Sequence, residues 1–296
     1  MAALSHSALS KDNWSTHASA YQTTLGSGRP NANPITSTIV SLLAAANTAR
    51  PFSSASRILD VGTGTAAVVE ALLSTHNAEL PLTTQILATD FSAGMVAIVQ
   101  KKADDLLAQG NDGWKRVRPA VVDAQDMSAM ESSSVSHITS SMVLMLVPDG
   151  FKALREMHRV LEPGGVAAIT TWEKLGWMEI AAQAVGRVKP GQEHVFKLPQ
   201  AWSTPAGVRS VLEQAGFVNV QVAPQHTFMA VANPREFADG FIKGSNPGTL
   251  MLVDGMSEDE KDKAADVLYD LLLERFPDGV GNVQGTAIVA TGRKGN

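Results

Sequence analysis

A chain of 296 residues, 44% hydrophobic and 18% charged, can bury a full core, and reads as one large globular domain or a domain carrying a sizeable insertion. Its net charge of −5, with no lysine- or arginine-dense run, argues against electrostatic binding to nucleic acid or an anionic membrane. With no cysteine, disulfides, thiolate metal sites and a cysteine nucleophile are excluded.

The first residues lack a basic flank followed by an apolar run, so no secretory signal is read and the expected location is the cytoplasm. No apolar stretch is long enough to span a bilayer. Residues 1–31 are polar, with Trp14 and Tyr21 as their aromatics. A helix is predicted over 33–49, where Asn33 can cap, Pro34 takes the first helical position, and Ile35, Ile39, Leu42 and Leu43 recur at helical spacing.

From Arg57 strands and helices alternate. "RILDV" (57–61) reads as a strand and "AAVVEALLS" (66–74) as a helix; "QILATD" (85–90) and "SAGMVAIVQKKADDLLAQ" (92–109) repeat the pattern. "RPAVVD" (118–123) and "VSHITSSM" (135–142) are strands, followed by a helix over 150–161. "EPGG" places Pro163 and Gly164 as a type II turn before the strand "VAAITTW" (166–172). Such alternation means a parallel sheet covered by helices on both faces. A helix over 206–217 and strands over 218–223 and 285–294 complete the set. Two helical patterns between those last strands suggest a cap inserted over 224–284, with a second insertion over 173–203.

Chemistry concentrates at strand ends. Gly62-x-Gly64-x-x-Ala67 fits the nucleotide-binding fingerprint, and a ligand-free tight turn is the plain alternative. Asp60, just before the glycines, suits a ligand with a positive group. Asp90 ends the second strand and can accept both ribose hydroxyls, while Ser92 can cap the next helix. Asp123 ends the third strand and is offered to an exocyclic amine such as that of adenine. Three acids at successive carboxyl edges make a site where one would be merely solvated.

The pieces "LDVGTGTA", "ATDFSAGM", "VVDAQDM", "ITSSMVLMLVPD" and "MHRVLEPGGVAAITTW" resemble, in order, the class I S-adenosylmethionine-dependent methyltransferases. The resemblance is to the ubiquinone/menaquinone-biosynthesis type, whose fungal relatives include secondary-metabolite enzymes such as gliotoxin-type thiol methyltransferases. It implies an α/β, Rossmann-like seven-stranded sheet, mostly parallel with its last strand antiparallel, bearing helical cap insertions. It divides the chain into an arm and helix closing over the cofactor (1–50), a cofactor-binding core (51–172), and the rest of the sheet with acceptor-side insertions (173–296). The cofactor implied is S-adenosyl-L-methionine, with S-adenosyl-L-homocysteine as product.

Carried over residue by residue, Asp60, Gly62, Thr63 and Gly64 hold the methionine part and Asp90, beside Ser92, the ribose. Phe91 and Met95 flank the adenine, Asp123 and Ala124 bind its edge, Ser140 lies below the sulfonium, and Tyr21 and Trp14 fold over from the arm. One departure is Ala66, where the family's loop commonly has a third glycine. Acceptor contacts are expected from Met142, Met145, Trp172, Trp177, His194, Trp202, Phe237 and Phe241, each of which also suits ordinary packing. His137 and His158 read as structural, and no spacing reads as a metal site. The partner expected is a small molecule, with no nucleic acid and no membrane.

Methyl transfer is an in-line displacement in which the protein aligns the reactants and excludes water. With His194 as the one histidine expected near a substrate, the acceptor expected is one that ionises unaided. That favours S-methylation of a natural-product thiol over O-methylation of a phenol or C-methylation of a quinol. A nicotinamide oxidoreductase and a non-catalytic cofactor-binding protein remain as alternatives.

Overall fold

Short apolar runs closed by turn residues become β1 (Arg57–Val61), β2 (Gln85–Asp90), β3 (Val117–Val121), β4 (Val135–Ser141), β5 (Leu161–Leu175), β6 (Phe217–Val231) and β7 (Gly281–Lys294). The computed structural model describes residues 10–16, 18, 34–192, 198–244 and 247–296. The strands form a single sheet in the order β3-β2-β1-β4-β5-β7-β6. β1 to β5 are parallel, and β7 runs antiparallel to both its neighbours. This is the expected Rossmann-like sheet with a reversed last strand.

The helices are α1 (Lys11–Thr16), α2 (Pro34–Ala49), α3 (Ala67–His76), α4 (Ala93–Ala108), α5 (Gly150–Val160) and α6 (Gly176–Val188). They continue with α7 (Gln200–Ser203), α8 (Pro205–Gln214), α9 (Pro234–Ile242), α10 (Pro247–Val253) and α11 (Glu258–Arg275). Caps set most starts. Ser92 accepts the Met95 N–H at 3.2 Å, Asp149 the Lys152 N–H at 2.8 Å, and Ser257 forms a capping box with Glu260. The expected cap of α2, Asn33, lies outside the described residues. No helix among the described residues is long and apolar enough to cross a membrane.

Each face of the sheet carries its own core. Ile58, Ile86 and Ala168 pack with Leu42, Leu72 and Val99 of α2, α3 and α4. Leu59, Ile138 and Ala167 pack with Leu154, Val185 and Leu212 of α5, α6 and α8. Fully burying one such leucine contributes about 1.5–3 kcal/mol, so these two clusters hold the strand register against which the site is built.

The structure departs from expectation in places. β6 and β7 are longer than read, and pair from Phe217↔Lys294 to Val231↔Gly281, so the helical segment between them spans 232–280. Pro224 masked this in the sequence. It sits in the sheet's edge strand, where a missing N–H is tolerated. A third helix, α10, joins the two read there. The Pro163–Gly164 turn does form, with Gly164 at φ +71, but inside β5 as a bulge that shifts the β4 register from Val135↔Leu161 to His137↔Val166.

Candidate active site

The turn after β1 holds three left-handed residues within five: Gly62 (φ +68), Gly64 (φ +52) and Ala66 (φ +66). Two backbone bonds fasten it, Thr63 N–H to the Thr89 carbonyl and Ala66 N–H to the Thr63 carbonyl, both 2.8 Å. A Cβ on Gly62 would run into the Val143 side chain, whereas one on Gly64 would meet nothing within 4 Å. Gly62 is therefore set by packing, and Gly64 leaves backbone open to a ligand. Ala66 is buried where a glycine would be relaxed, at a cost of about 1–2 kcal/mol.

The acids around this loop are locked from below. Asp90 accepts the Gly64 N–H at 3.0 Å through Oδ2 and the Ser92 N–H at 2.9 Å through Oδ1. A carboxylate has about four acceptor sites, so capacity remains after these bonds and the Phe91 N–H for a ribose hydroxyl. Burial raises the Asp90 pKa despite these bonds. Asp60, expected to hold the methionine part, is sealed beneath the loop and outside the cavity lining. Its Oδ1 accepts the Thr139 hydroxyl at 2.7 Å, while Oδ2 has no partner, and burial pushes its carboxyl up to about 6. The buried Thr63 hydroxyl makes no hydrogen bond of good geometry, yet it lies close enough to the Asp60 carboxyl to hold that pKa down against burial. Two polar atoms without a hydrogen bond, one of them acidic, at the base of the glycine loop fit the zwitterionic methionine end of the expected cofactor.

Above the loop opens a cavity of about 900 Å³. Gly62, Thr63, Gly64 and Asp90 form one end, with Phe91, Met95 and Ala124 beside them. Asp123 lies two residues beyond β3, exposed at the lip, where its Oδ1 accepts the Gln125 N–H at 2.8 Å. Ser10, Lys11 and Trp14 bring α1 to the wall. α1 is seated through Ser15, whose hydroxyl meets that of Ser92 at 2.9 Å and whose backbone lies against Gly94.

The far half is apolar. Met142, Met145, Trp172, Trp177, Phe237 and Phe241 all line it. Trp172 and Trp177 meet edge to face at 5.2 Å, and Phe237 and Phe241 stack at 5.5 Å, one turn apart on α9. Met145 Sδ receives the Trp172 N–H at 3.4 Å.

Several expected residues sit elsewhere. Ser92 is fully buried and bonded to Met95 and Ser15, outside the cavity lining. Ser140 faces the sheet side opposite Thr139, its hydroxyl buried and unpartnered, and its neighbour Ser141 lines the cavity instead. Trp202 is buried against Gly150 at the start of α5. Tyr21 and His194 lie outside the described residues. His137 is buried between Ser136 and the Arg50 carbonyl, and His158 packs edge to face on Phe217. Unforeseen in the sequence are Ile35 and Ile39 from α2, Met178 and Met229. The methyl-bearing faces of α2 were legible as apolar periodicity, but its direction over the sheet was not.

Residues 59–169 match the family model described as a methyltransferase domain. The chain is 30% identical over 251 residues to a methyltransferase of Aspergillus fumigatus, tpcH, covering 80% of this chain and 84% of that one. It is 31% identical over 173 residues to the acetylaranotin bis-thiomethyltransferase of Aspergillus terreus, covering 56% of each. The fold is shared with the phosphoethanolamine N-methyltransferase 2 of Haemonchus contortus, solved with S-adenosyl-L-methionine, at a TM-score of 0.55 and 18% identity over 97% of this chain and 60% of that one. This chain belongs to the class I S-adenosyl-L-methionine-dependent methyltransferases.

Proposed function

We propose that this enzyme methylates the sulfur of a small natural-product thiol. The observation that carries the reading is the chemistry of the cavity wall. Among the described lining residues the ionisable side chains are Lys11, Asp90, Asp123 and Glu236, and none is a histidine. Asp90 and Asp123 belong to the cofactor's strand ends, Lys11 to the arm, and Glu236 is exposed on α9. The acceptor half is otherwise mostly methionine, aromatic and aliphatic.

When bound, S-adenosyl-L-methionine supplies a methyl group already activated on a sulfonium. Asp60 and the Gly62–Gly64 loop hold its amino-acid end, Asp90 its ribose, and Phe91, Met95, Asp123 and Ala124 its adenine. The chain's remaining task is to orient the acceptor and keep water out, which the apolar wall does. With no histidine among the described lining residues, the acceptor is taken to ionise itself. A thiol near pKa 8.5 is a few per cent ionised at neutral pH, and a phenol near 10 far less. The likeness to a fungal bis-thiomethyltransferase supports sulfur. A phenolic hydroxyl is the second reading, favoured by the stacked and edge-to-face aromatic pairs, which suit a flat ring.

A mass-spectrometric screen of thiols, phenols, amines and carboxylic acids tests this. Thiols react fastest, and the rate climbs with pH along each acceptor's own ionisation. A rate indifferent to acceptor pKa overturns the proposal.

A further inference from the structure

The carboxyl end of β4 lies between β1, which carries the glycine loop, and β5, which carries Trp172. Its last residue, Ser141, stands opposite Thr170 of β5 in register, so both side chains share one face. Their hydroxyls meet at 3.1 Å. Thr170 is buried, whereas Ser141 is half-buried and lines the cavity.

Either hydroxyl of this pair can donate to the other, and burial decides: the buried Thr170 proton needs a protein acceptor, whereas that of half-buried Ser141 can face the cavity. Thr170 Oγ1 already receives the Met142 N–H at 3.2 Å, a proton it shares with the Thr170 carbonyl at 3.0 Å. Among the described residues, the Thr170 hydroxyl proton then has one acceptor in reach, Ser141 Oγ. The Ser141 proton is left without a protein acceptor and points to the cavity. Met142, at φ +61, holds the turn that delivers its N–H to Thr170. A strained residue and two hydroxyls thus aim one O–H donor at the space between the cofactor's loop and the aromatic half.

We propose that Ser141 donates a hydrogen bond to the ionised acceptor atom, with Thr170 as the residue that positions it. The acceptor's own proton leaves to solvent, and none passes to Ser141. The bond favours the charged form of the acceptor, so more of it is ionised at neutral pH. This rests on the reading above, in which the acceptor reacts as its anion.

The test uses the full chain and the thiol or phenol turned over fastest in the screen, at saturating S-adenosyl-L-methionine. That saturation removes cofactor-linked titration of Asp60 and Asp90, and leaves Lys11, Asp123 and Glu236 as the other ionisable groups on the described wall. Ser141→Ala moves the alkaline-rising limb of the rate up by about one pH unit, a tenfold loss of ionised acceptor at a given pH. Ser141→Thr restores it, and Thr170→Val moves it part of the way. Calorimetric affinity for S-adenosyl-L-homocysteine stays within twofold in all three. A limb that stays in place in Ser141→Ala overturns the assignment, as does loss of homocysteine-cofactor affinity, which would make Ser141 a cofactor contact. Failure of the underlying reading looks different: the wild-type rate would not follow acceptor pKa at all.

Discussion

Replacing Asp60 by asparagine separates the stability of this protein from its affinity for cofactor. The Asp60 carboxyl is buried, one oxygen has no partner, and its pKa stands at about 6 against an ordinary 3.8. The folded protein therefore holds this proton more tightly than the unfolded chain. Below pH 3.8 both forms are protonated and no cost arises; as pH rises from 3.8 to 6 the folded state loses ~3 kcal/mol, and the loss is complete above 6. Asparagine removes that charge and keeps an acceptor for the Thr139 hydroxyl, but buries an amide N–H₂ where Oδ2 has no partner, returning about 1–3 kcal/mol. The ligand-free variant at pH 7 is expected to be as stable as wild type or up to ~2 kcal/mol more so.

Affinity goes the other way. A cation held above the loop favours ionised Asp60, and losing that charge costs about 2–3 kcal/mol, on the order of 30- to 150-fold in Kd. In the wild type, binding below pH 6 must expel the Asp60 proton, so affinity falls toward tenfold per pH unit there. In Asp60→Asn that dependence shrinks to what Asp90 contributes. Urea denaturation of the ligand-free protein and calorimetry with S-adenosyl-L-homocysteine from pH 5 to 8 read both quantities. A variant that binds as tightly as wild type with the same pH dependence would refute the assignment of Asp60 to the cofactor's cationic end.

Other outcomes follow from the same geometry. His137, pushed by burial from 6.5 to about 4, makes stability rise with pH across that window by ~3 kcal/mol, opposite to Asp60. The Asp60 and His137 contributions should largely offset each other from pH 4 to 6, so stability rises more steeply with pH in Asp60→Asn and falls more steeply in His137→Gln than in wild type; parallel curves in denaturant titrations would count against both groups. Gly62→Ala, which drives a Cβ into Val143 at φ +68, should cost ~3 kcal/mol or more, and Gly64→Ala, in open space, only ~1–2 kcal/mol; equal losses would mean the Val143 contact is unimportant. Gly94→Ala favours helix by up to ~1 kcal/mol yet puts a Cβ 2.7 Å from the Ser15 carbonyl, so cofactor affinity should drop while the fold is unharmed. Unchanged affinity would make α1 a tail.

What could be read in the chain was whatever local chemistry decides. Ser92 is a cap because of its position before an apolar-periodic run, Asp60 lies two residues before the glycine turn, and Asp90 ends the next apolar strand, so each is marked by its own short stretch. What depends on pairing was not legible. Ser140 and Ser141 differ by one residue, and only the register of β4 against β1 and β5 decides which faces the cavity. Trp202 reads as a large aromatic in an insertion, and nothing local tells that α7 lays it over Gly150 rather than over the acceptor.

The positive φ angles at Ala66 and Met142 show the same limit from the side of function. Neither residue favours the left-handed region, so no propensity rule would put them there. Both flank the cavity, Ala66 behind the loop that presents Gly64 and Met142 at the turn that turns Ser141 outward. Each is held by buried neighbours and a backbone bond. The strain is tolerated because two strand ends must present a hydroxyl and a stretch of backbone uncovered by a side chain to the same space. Local rules fail there because the surrounding sheet overrides them, and the failures mark where the chain is shaped for its ligand.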